Sequence, residues 1–317
     1  MTAELARVTD NRTFIQKADL ALSELTTGAG VLQTAQAQKF MRILIEEAVL
    51  MPLVTVVPMR AQKQLIEKTR FTSQVLQPGQ EATALLESER AKPDLTKVEL
   101  DAQLFKAEVR LNDEILEDNI ERAEFRNTIM QTMGEAIARD MENVIINGDT
   151  ASGVPLLAVL DGILKQASSN IVAAGQVPLN KTTFRDSMKA MPDEFLRDKG
   201  RMGFITSIDA ETDYRDSVAD RQTLVGDAFL TGAAPIAWSG IPVRPIPLFP
   251  ETLGGGNETN MLFTDLKNIQ VGIWRKLKVE TDRLVREGVL LIVASLRMDV
   301  KFAEETAVVK TTGITVT

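Results

Sequence analysis

Between Lys97 and Leu111 apolar and polar residues alternate, and the alternation changes phase once. Val98, Leu100, Ala102 and Leu104 share one face, while Lys97, Glu99, Asp101 and Gln103 share the other. From Phe105 onward the apolar residues move to the odd positions: Phe105, Ala107, Val109 and Leu111. Such alternation marks a half-buried strand, because successive side chains point to opposite faces. A one-residue slip turns every side chain over, so the phase change predicts a bulge or sharp twist at Leu104–Phe105. Upstream lies QVLQPGQEATALLESERAKPD, rich in turn formers and charge, with little to bury. Residues 59–110 therefore predict a long two-stranded arm that leaves a body and returns to it. An excursion of about fifty residues exceeds an ordinary connector, and a lone two-stranded ribbon is marginal in water. Such an arm calls for another molecule to rest on.

The flanking segments supply the body. Residues 1–30 are polar with little periodicity and read as an arm ordered by a partner surface. A helix is expected from Gly30, with Phe40, Ile43 or Leu44, and Val49 or Leu50 at helical spacing and Pro52 as its stop. LVTVV, residues 53–57, then reads as a short strand closed by Pro58. Residues 112–147 predict a long helix capped by Asn112, with Asp113 and Glu114 at its positive end and Gly148 after it. Its apolar stripe is Leu116, Ile120, Ala123, Ile129 or Met130, Met133, Ile137, Met141, and Val144 or Ile145. The surplus acid is expected on its other faces, and Gly134 permits a kink or a close backbone contact.

Beyond Thr150 helices and strands mix. A helix is expected over 181–197. Prolines 242, 245, 247 and 250 of IPVRPIPLFP forbid a central strand, leaving an edge or a rigid crossing. MLFTDL, NIQVGIW, KLKVET, VLLIVASL and MDVKFA read as closing strands.

Composition narrows the chemistry. The 317 residues include no histidine and no cysteine, which excludes His/Cys zinc or haem sites, thiolate and Ser-His-Asp catalysis, and disulfides. The net charge is −8, and seven of those charges fall in residues 111–149, with three basic against ten acidic groups. A nucleic-acid reader would show the opposite sign on some face. No secretory h-region opens the chain, and the longest apolar runs, GVLLIVASL and AVLMPLV, fall far short of a membrane span. The expectation is a product made in a cytosol, with no membrane partner.

Carboxylates are the strong general acids and bases that remain. Asp113, Glu114, Glu117, Asp118 and Glu121 could in principle hold Mg²⁺ or make an acid/base pair. The positive end of a helix accounts for the cluster without a ligand. Gly254, Gly255 and Gly256 fit no phosphate-binding pattern and read as a loop. Two charged sets point to contacts between molecules. One is Lys63, Lys68, Arg70, Glu87, Glu89, Arg90 and Lys92 on the arm; the other is Glu280, Asp282, Arg283, Arg286 and Glu287. They are either solvated hairpin tips or ion pairs between subunits, weak singly and useful in number.

The order of parts resembles the major capsid protein of tailed double-stranded-DNA phages, the Hong Kong 97-type family. The resemblance covers roughly residues 30–310. LQPGQEATALLESERAKPDLTKVELDAQLFKAEVRLNDEILED is similar to that family's extended loop and the turn before its spine helix, and AIARDMENVIINGD to the end of that helix. DGILKQA, WSGIPVRPIPLFP and MLFTDLKNIQVGIWRKLKVETDR match the axial-domain strands in kind and order.

The resemblance implies an α+β capsid subunit without catalysis or cofactor. Its parts would be an N-terminal arm (1–30), a first peripheral segment (31–58), an extended loop (59–105) and a peripheral domain with the spine helix (106–150). An axial domain (151–277), a return through the peripheral domain (278–300) and a C-terminal axial strand (301–317) complete it. The implied partners are other copies in pentamers and hexamers of an icosahedral shell, a portal, separate scaffolding or decoration proteins, and packaged DNA by proximity alone. The implied location is the virion, after assembly in the host bacterial cytoplasm. The arm would lie over a neighbouring subunit, and the loop near 280–290 would meet others between capsomers. An acidic spine helix lining the interior would repel DNA rather than grip it. With about 30 residues before the first helix, scaffolding is expected to be separate or absent. Residues 280–296 hold no asparagine, so no lysine–asparagine crosslink is expected from Lys63 or Lys68. An encapsulin-type nanocompartment shell shares the implied fold and stands as the alternative, with a carboxylate-based or metal-dependent enzyme more remote.

Overall fold

The computed structural model describes residues 48–71, 74–78, 86–112, 123–219 and 236–316. The arm expected over 1–30, the helix expected from Gly30, and Leu116 and Ile120 lie outside these residues. In chain order the elements are β1 (Thr55–Pro58), β2 (Lys63–Arg70), β3 (Asp94–Asp101), β4 (Gln103–Asn112), α1 (Ala123–Asn147), α2 (Ile163–Gln166), β5 (Asn170–Val177), α3 (Lys181–Ala190), β6 (Met202–Thr206), α4 (Ile208–Ala219), β7 (Ala237–Trp238), β8 (Ile241–Pro245), β9 (Glu258–Asp265), β10 (Ile269–Leu284), β11 (Val289–Phe302) and β12 (Val308–Thr315).

The chain divides into two compact units. The larger holds the described residues of 48–104, 138–275 and 297–317. Its centre is a six-stranded sheet in the order β5-β12-β9-β6-β8-β7, with β12 parallel to β5 and antiparallel to β9. Phe204 of β6 faces Phe263 of β9 in register, their rings stacked at 4.5 Å. Phe184 of α3 adds edge contacts at 4.8 Å to Phe204 and to Tyr214 of α4. Offset and edge geometry of this kind adds to simple area burial. The smaller unit holds residues 276–296 and the described part of 105–137. Strands β1, β10, β11 and β4 form one sheet in that order.

The phase change is a real break. Strand β3 ends at Asp101 and β4 begins at Gln103, with Ala102 between them. Leu100 and Ala102 are buried and Leu104 exposed, and the burial then moves to the odd positions through Leu111. Strand β4 runs on to Asn112, and residues 113–122, which would hold the helix start that Asn112 was expected to cap, lie outside the described residues. The helix as described covers 25 residues, about 37 Å. Met133, Met141, Val144 and Ile145 are buried on it, as the stripe requires, and Gly134 is buried too.

Other boundaries moved for local reasons. Helix α3 starts where expected, with the Asn180 side chain accepting from the N–H of Thr182 and Thr183, but it ends at Ala190 rather than 197. Pro192 pushes Met191 into extended backbone. The proline run becomes β8, one place in from the sheet margin, with the two-residue β7 as its outer neighbour. β1 includes Pro58, tolerated because β1 is the outer strand of its sheet. NIQVGIW and KLKVET fuse into β10, and VLLIVASL and MDVKFA into β11.

Gly148 ends α1 for a reason other than left-handed backbone. A Cβ there would lie 2.5 Å from the Leu160 carbonyl oxygen and 2.9 Å from the Gly162 nitrogen. A Cβ on Gly162 would in turn lie 2.7 Å from the Gly148 nitrogen. The two glycines let the helix end and the 160–162 turn meet backbone to backbone, closed by the Gly162 N–H donating to Gly148 O at 2.8 Å.

Candidate assembly surface

The arm is the antiparallel pair β2–β3, registered from Lys63 opposite Asp101 to Arg70 opposite Asp94. Its root is the part that packs. Met59, Leu100 and Ala102 form a small buried cluster with Val57, Ile66 and Trp274 against it. Gly272 of β10 makes room: a Cβ there would sit 2.7 Å from Met59 Sδ and 2.9 Å from Leu100 Cδ1. The Ala102 N–H donates to Gln62 O at 2.9 Å, closing the two strands where they leave the body. The Asp101 N–H donates to Asp299 Oδ2 at 2.8 Å. Burial pushes the Asp299 carboxyl above its ordinary range, opposed by that donated hydrogen bond. The Arg297 guanidinium lies 4.5 Å over the Trp274 ring.

Along the shaft the charges pair across the strands. Lys63 Nζ lies 3.1 Å from Glu99 and 3.4 Å from Asp101, and Lys97 lies 3.0 Å from Glu67. Lys68 pairs with Glu304 at 3.5 Å, and Arg70 with Glu194 and, at 4.0 Å, with Glu304. The Arg70 guanidinium also covers the Phe195 ring at 5.2 Å. Three of the expected contact residues, Lys63, Lys68 and Arg70, thus have partners within the chain. Glu87, Arg90 and Lys92 are exposed beyond β2, where Glu87–Glu89 form a short 3-10 turn.

The arm also leaves apolar side chains in solvent. Leu65, Phe71, Val75, Leu76, Leu86 and Leu95 are all exposed, Leu76 to 84%. Leu65 lies on β2 and Leu95 on β3, and the other four lie in the connection between the two strands.

The second charged set occupies the tip of the β10–β11 hairpin in the smaller unit. Glu280, Asp282, Arg283, Arg286 and Glu287 are exposed there, around a turn closed by the Glu287 N–H donating to Leu284 O at 3.0 Å. Gly288 takes the left-handed backbone the turn requires, φ +61°. Val285 at the tip is 83% exposed. Lys278 pairs with Glu280.

The acid cluster Asp113–Glu121 lies outside the described residues. Among the described residues no group of three or more metal-ligating side chains occurs. A cleft of 360 Å³ beside Arg70's partners mixes Glu194, Asp198 and Asp265 with Arg197, Arg201 and Lys267. Its Arg201 and Asp265 neutralise one another at 3.1 Å.

Three carboxylates that sequence reasoning passed over brace the backbone. Glu142 of α1 is 4% exposed and accepts from the Leu50 N–H, against the expectation that the helix acids lie off its apolar face. Asp299 holds the arm root. Glu305 accepts from the N–H of Ser168 at 2.8 Å and of Ser169 at 2.7 Å, and from their hydroxyls. The Glu142 signal was present in its spacing from buried Ala138 and Ile146, four residues either side.

A model of the phage capsid family matches residues 28–313. A prophage capsid protein of Bacillus subtilis (strain 168), YqbE, is 37% identical over 305 residues, which span 95% of this chain and 97% of the relative. Among solved structures, the procapsid of satellite phage P4 including its size determination protein matches with TM-score 0.64 at 14% identity, covering 88% of this chain and 91% of that one. The holo-SrpI encapsulin complex from Synechococcus elongatus PCC 7942 matches with TM-score 0.56 at 13% identity, covering 84% and 88%. At such identities the two structures speak to the fold alone.

Proposed function

The chain belongs to the phage capsid family and has its Hong Kong 97-type α+β fold; from that premise we propose that it is a major capsid protein, a structural subunit that self-assembles into the icosahedral shell of a virion. The observation that carries the reading is the arm. It packs at its root, is held farther out by partly exposed ion pairs, and leaves six large apolar side chains in water. A second copy of the chain is the partner that buries them. Symmetry multiplies each modest contact, so no single bond between subunits has to be strong.

In this reading the arm lies over a neighbouring subunit, and Glu87, Glu89, Arg90 and Lys92 meet charges there. Lys63, Lys68 and Arg70 belong to the same contact surface. The hairpin tip with Glu280, Asp282, Arg283, Arg286 and Glu287 meets copies in adjacent capsomers. Subunits group as pentamers and hexamers, with the domain division set out from the sequence. A portal and separate scaffolding or decoration proteins complete the particle, which assembles in the bacterial cytoplasm around DNA held by proximity rather than by grip. The subunit works by contact and closure and needs no catalytic group.

An encapsulin shares the fold, so the fold does not separate the two shells. The relative at 37% identity is a prophage capsid protein, which favours the DNA-filled shell. Sedimentation of the purified chain tests the proposal: closed particles are expected, and a chain that stays monodisperse and monomeric at high concentration overturns it. Particles from the native source that carry protein cargo and no DNA would transfer the reading to the encapsulin class.

A further inference from the structure

We infer that Lys68 and Arg70, with Glu194, Phe195 and Glu304, form an intrachain latch that holds the arm on its own subunit and opens when the arm docks on a second copy. The inference rests on the shell reading and adds a regulated step to it. The acceptors come from two segments far apart in sequence, one following α3 and the other following β11, and both converge on one guanidinium. Among the described residues of the outer strands, none of residues 67–71 or 94–97 is buried. The apolar packing of the arm lies at the root, around Leu100 and Ala102.

A contact built from charged groups with side chains 23–48% exposed is weak and screened by salt. It fixes where the arm rests without committing the arm's apolar side chains, which stay available for a neighbour. Once a neighbour covers Phe71, Val75 and Leu76, the apolar area outweighs the ion pairs and the arm leaves its own body. Lys68 and Arg70 then exchange their own carboxylates for those of the neighbour. The root at Gln62–Ala102 is the pivot, since its packing is independent of the latch.

The chain has no cysteine of its own, so spin labels placed by Lys92→Cys on the arm and Lys189→Cys on α3 report the arm's position directly. In dilute, unassembled protein at low salt a single narrow distance distribution is expected. Glu194→Gln and Glu304→Gln, which leave the arm's cations intact, broaden it toward longer distances, as does salt of about 0.5 M. Followed by light scattering, both variants assemble faster than the parent chain, by about threefold. Distance distributions that ignore salt and substitution overturn the latch. Slower assembly in both variants overturns it too, because the ion pairs would then act between copies. A parent chain that forms no particles while its distances still respond would overturn the shell reading and the latch's part in assembly, leaving only a contact within the fold.

Discussion

The Leu50 N–H donates to the Glu142 carboxylate at 2.5 Å, joining the start of the described chain to the buried face of α1 across 92 residues of sequence. The Val49 N–H adds a longer bond at 3.4 Å. Burial pushes the Glu142 carboxyl above its ordinary range, and the two donated bonds oppose that shift without cancelling it. A carboxyl whose folded pKa is raised binds its proton more tightly in the folded chain. Its contribution to stability is therefore full at acid pH and falls as pH rises from the ordinary value of 4.5 through the raised one.

Two substitutions separate the charge from the hydrogen bonds. Glu142→Gln keeps an acceptor for Leu50 and removes the ionisable group, so this part of the pH dependence disappears. Glu142→Ala leaves two backbone donors unsatisfied and loses about 1–3 kcal/mol at acid pH, a loss that shrinks as pH rises through the raised pKa of the parent. Urea unfolding of the unassembled chain between about pH 4.5 and 7.5 gives both results. Equal losses for Gln and Ala would show that the carboxylate charge, not the acceptor, is what Leu50 requires.

Glu305 has the opposite sign. Burial pushes its carboxyl up, but the hydroxyls and N–H groups of Ser168 and Ser169 outweigh it and hold the group below its usual range. Its contribution is present above the ordinary pKa of 4.5 and lost as pH falls through the depressed value. Glu305→Gln is expected to flatten the stability profile on the acid side while leaving the profile above pH 5 parallel to that of the parent chain, as unfolding midpoints against pH would record.

The Gly148–Gly162 contact has no room for a methyl group. Gly148→Ala and Gly162→Ala each drive a Cβ into backbone that no rotamer change can move, and each is expected to destabilise by about 3 kcal/mol. Gly153→Ala is the control, since nothing lies within 4 Å of a Cβ there. Thermal unfolding of the three variants ranks them, and a neutral Gly162→Ala would contradict the close approach.

Much of the arm was legible in the sequence because two local signals agreed. Period two named the strand, and the change of phase located the break between β3 and β4 to within about two residues. The second hairpin was legible as strands but not as two continuous ones, because Arg275 and Lys276 interrupt the alternation in the sequence while the strand runs on through them. The surroundings of the arm root were not legible. Asp299 lies on the polar face of β11 and is buried because residues 198 positions away fold onto it. Glu194 and Glu304 likewise sit in charged connections and acquire meaning only when Arg70 arrives. Glu142 was legible in principle, but its charge argued for solvent where its spacing argued for the core.

The exposed apolar residues of the arm give a variant that separates folding from assembly. Val75→Asp and Leu76→Asp change side chains already in solvent, so stability should stay within about 0.5 kcal/mol of the parent. Particle yield by sedimentation should fall sharply. Unchanged yield would show that these side chains are not covered by a neighbour.

The most direct test of the shell account is a cryo-electron-microscopy reconstruction of particles formed by this chain. The account predicts strands β2 and β3 lying over an adjacent subunit, with Phe71, Val75 and Leu76 covered by it and Arg70 released from Glu194. Particles in which the arm stays on its own subunit, with Leu76 facing solvent, would contradict it.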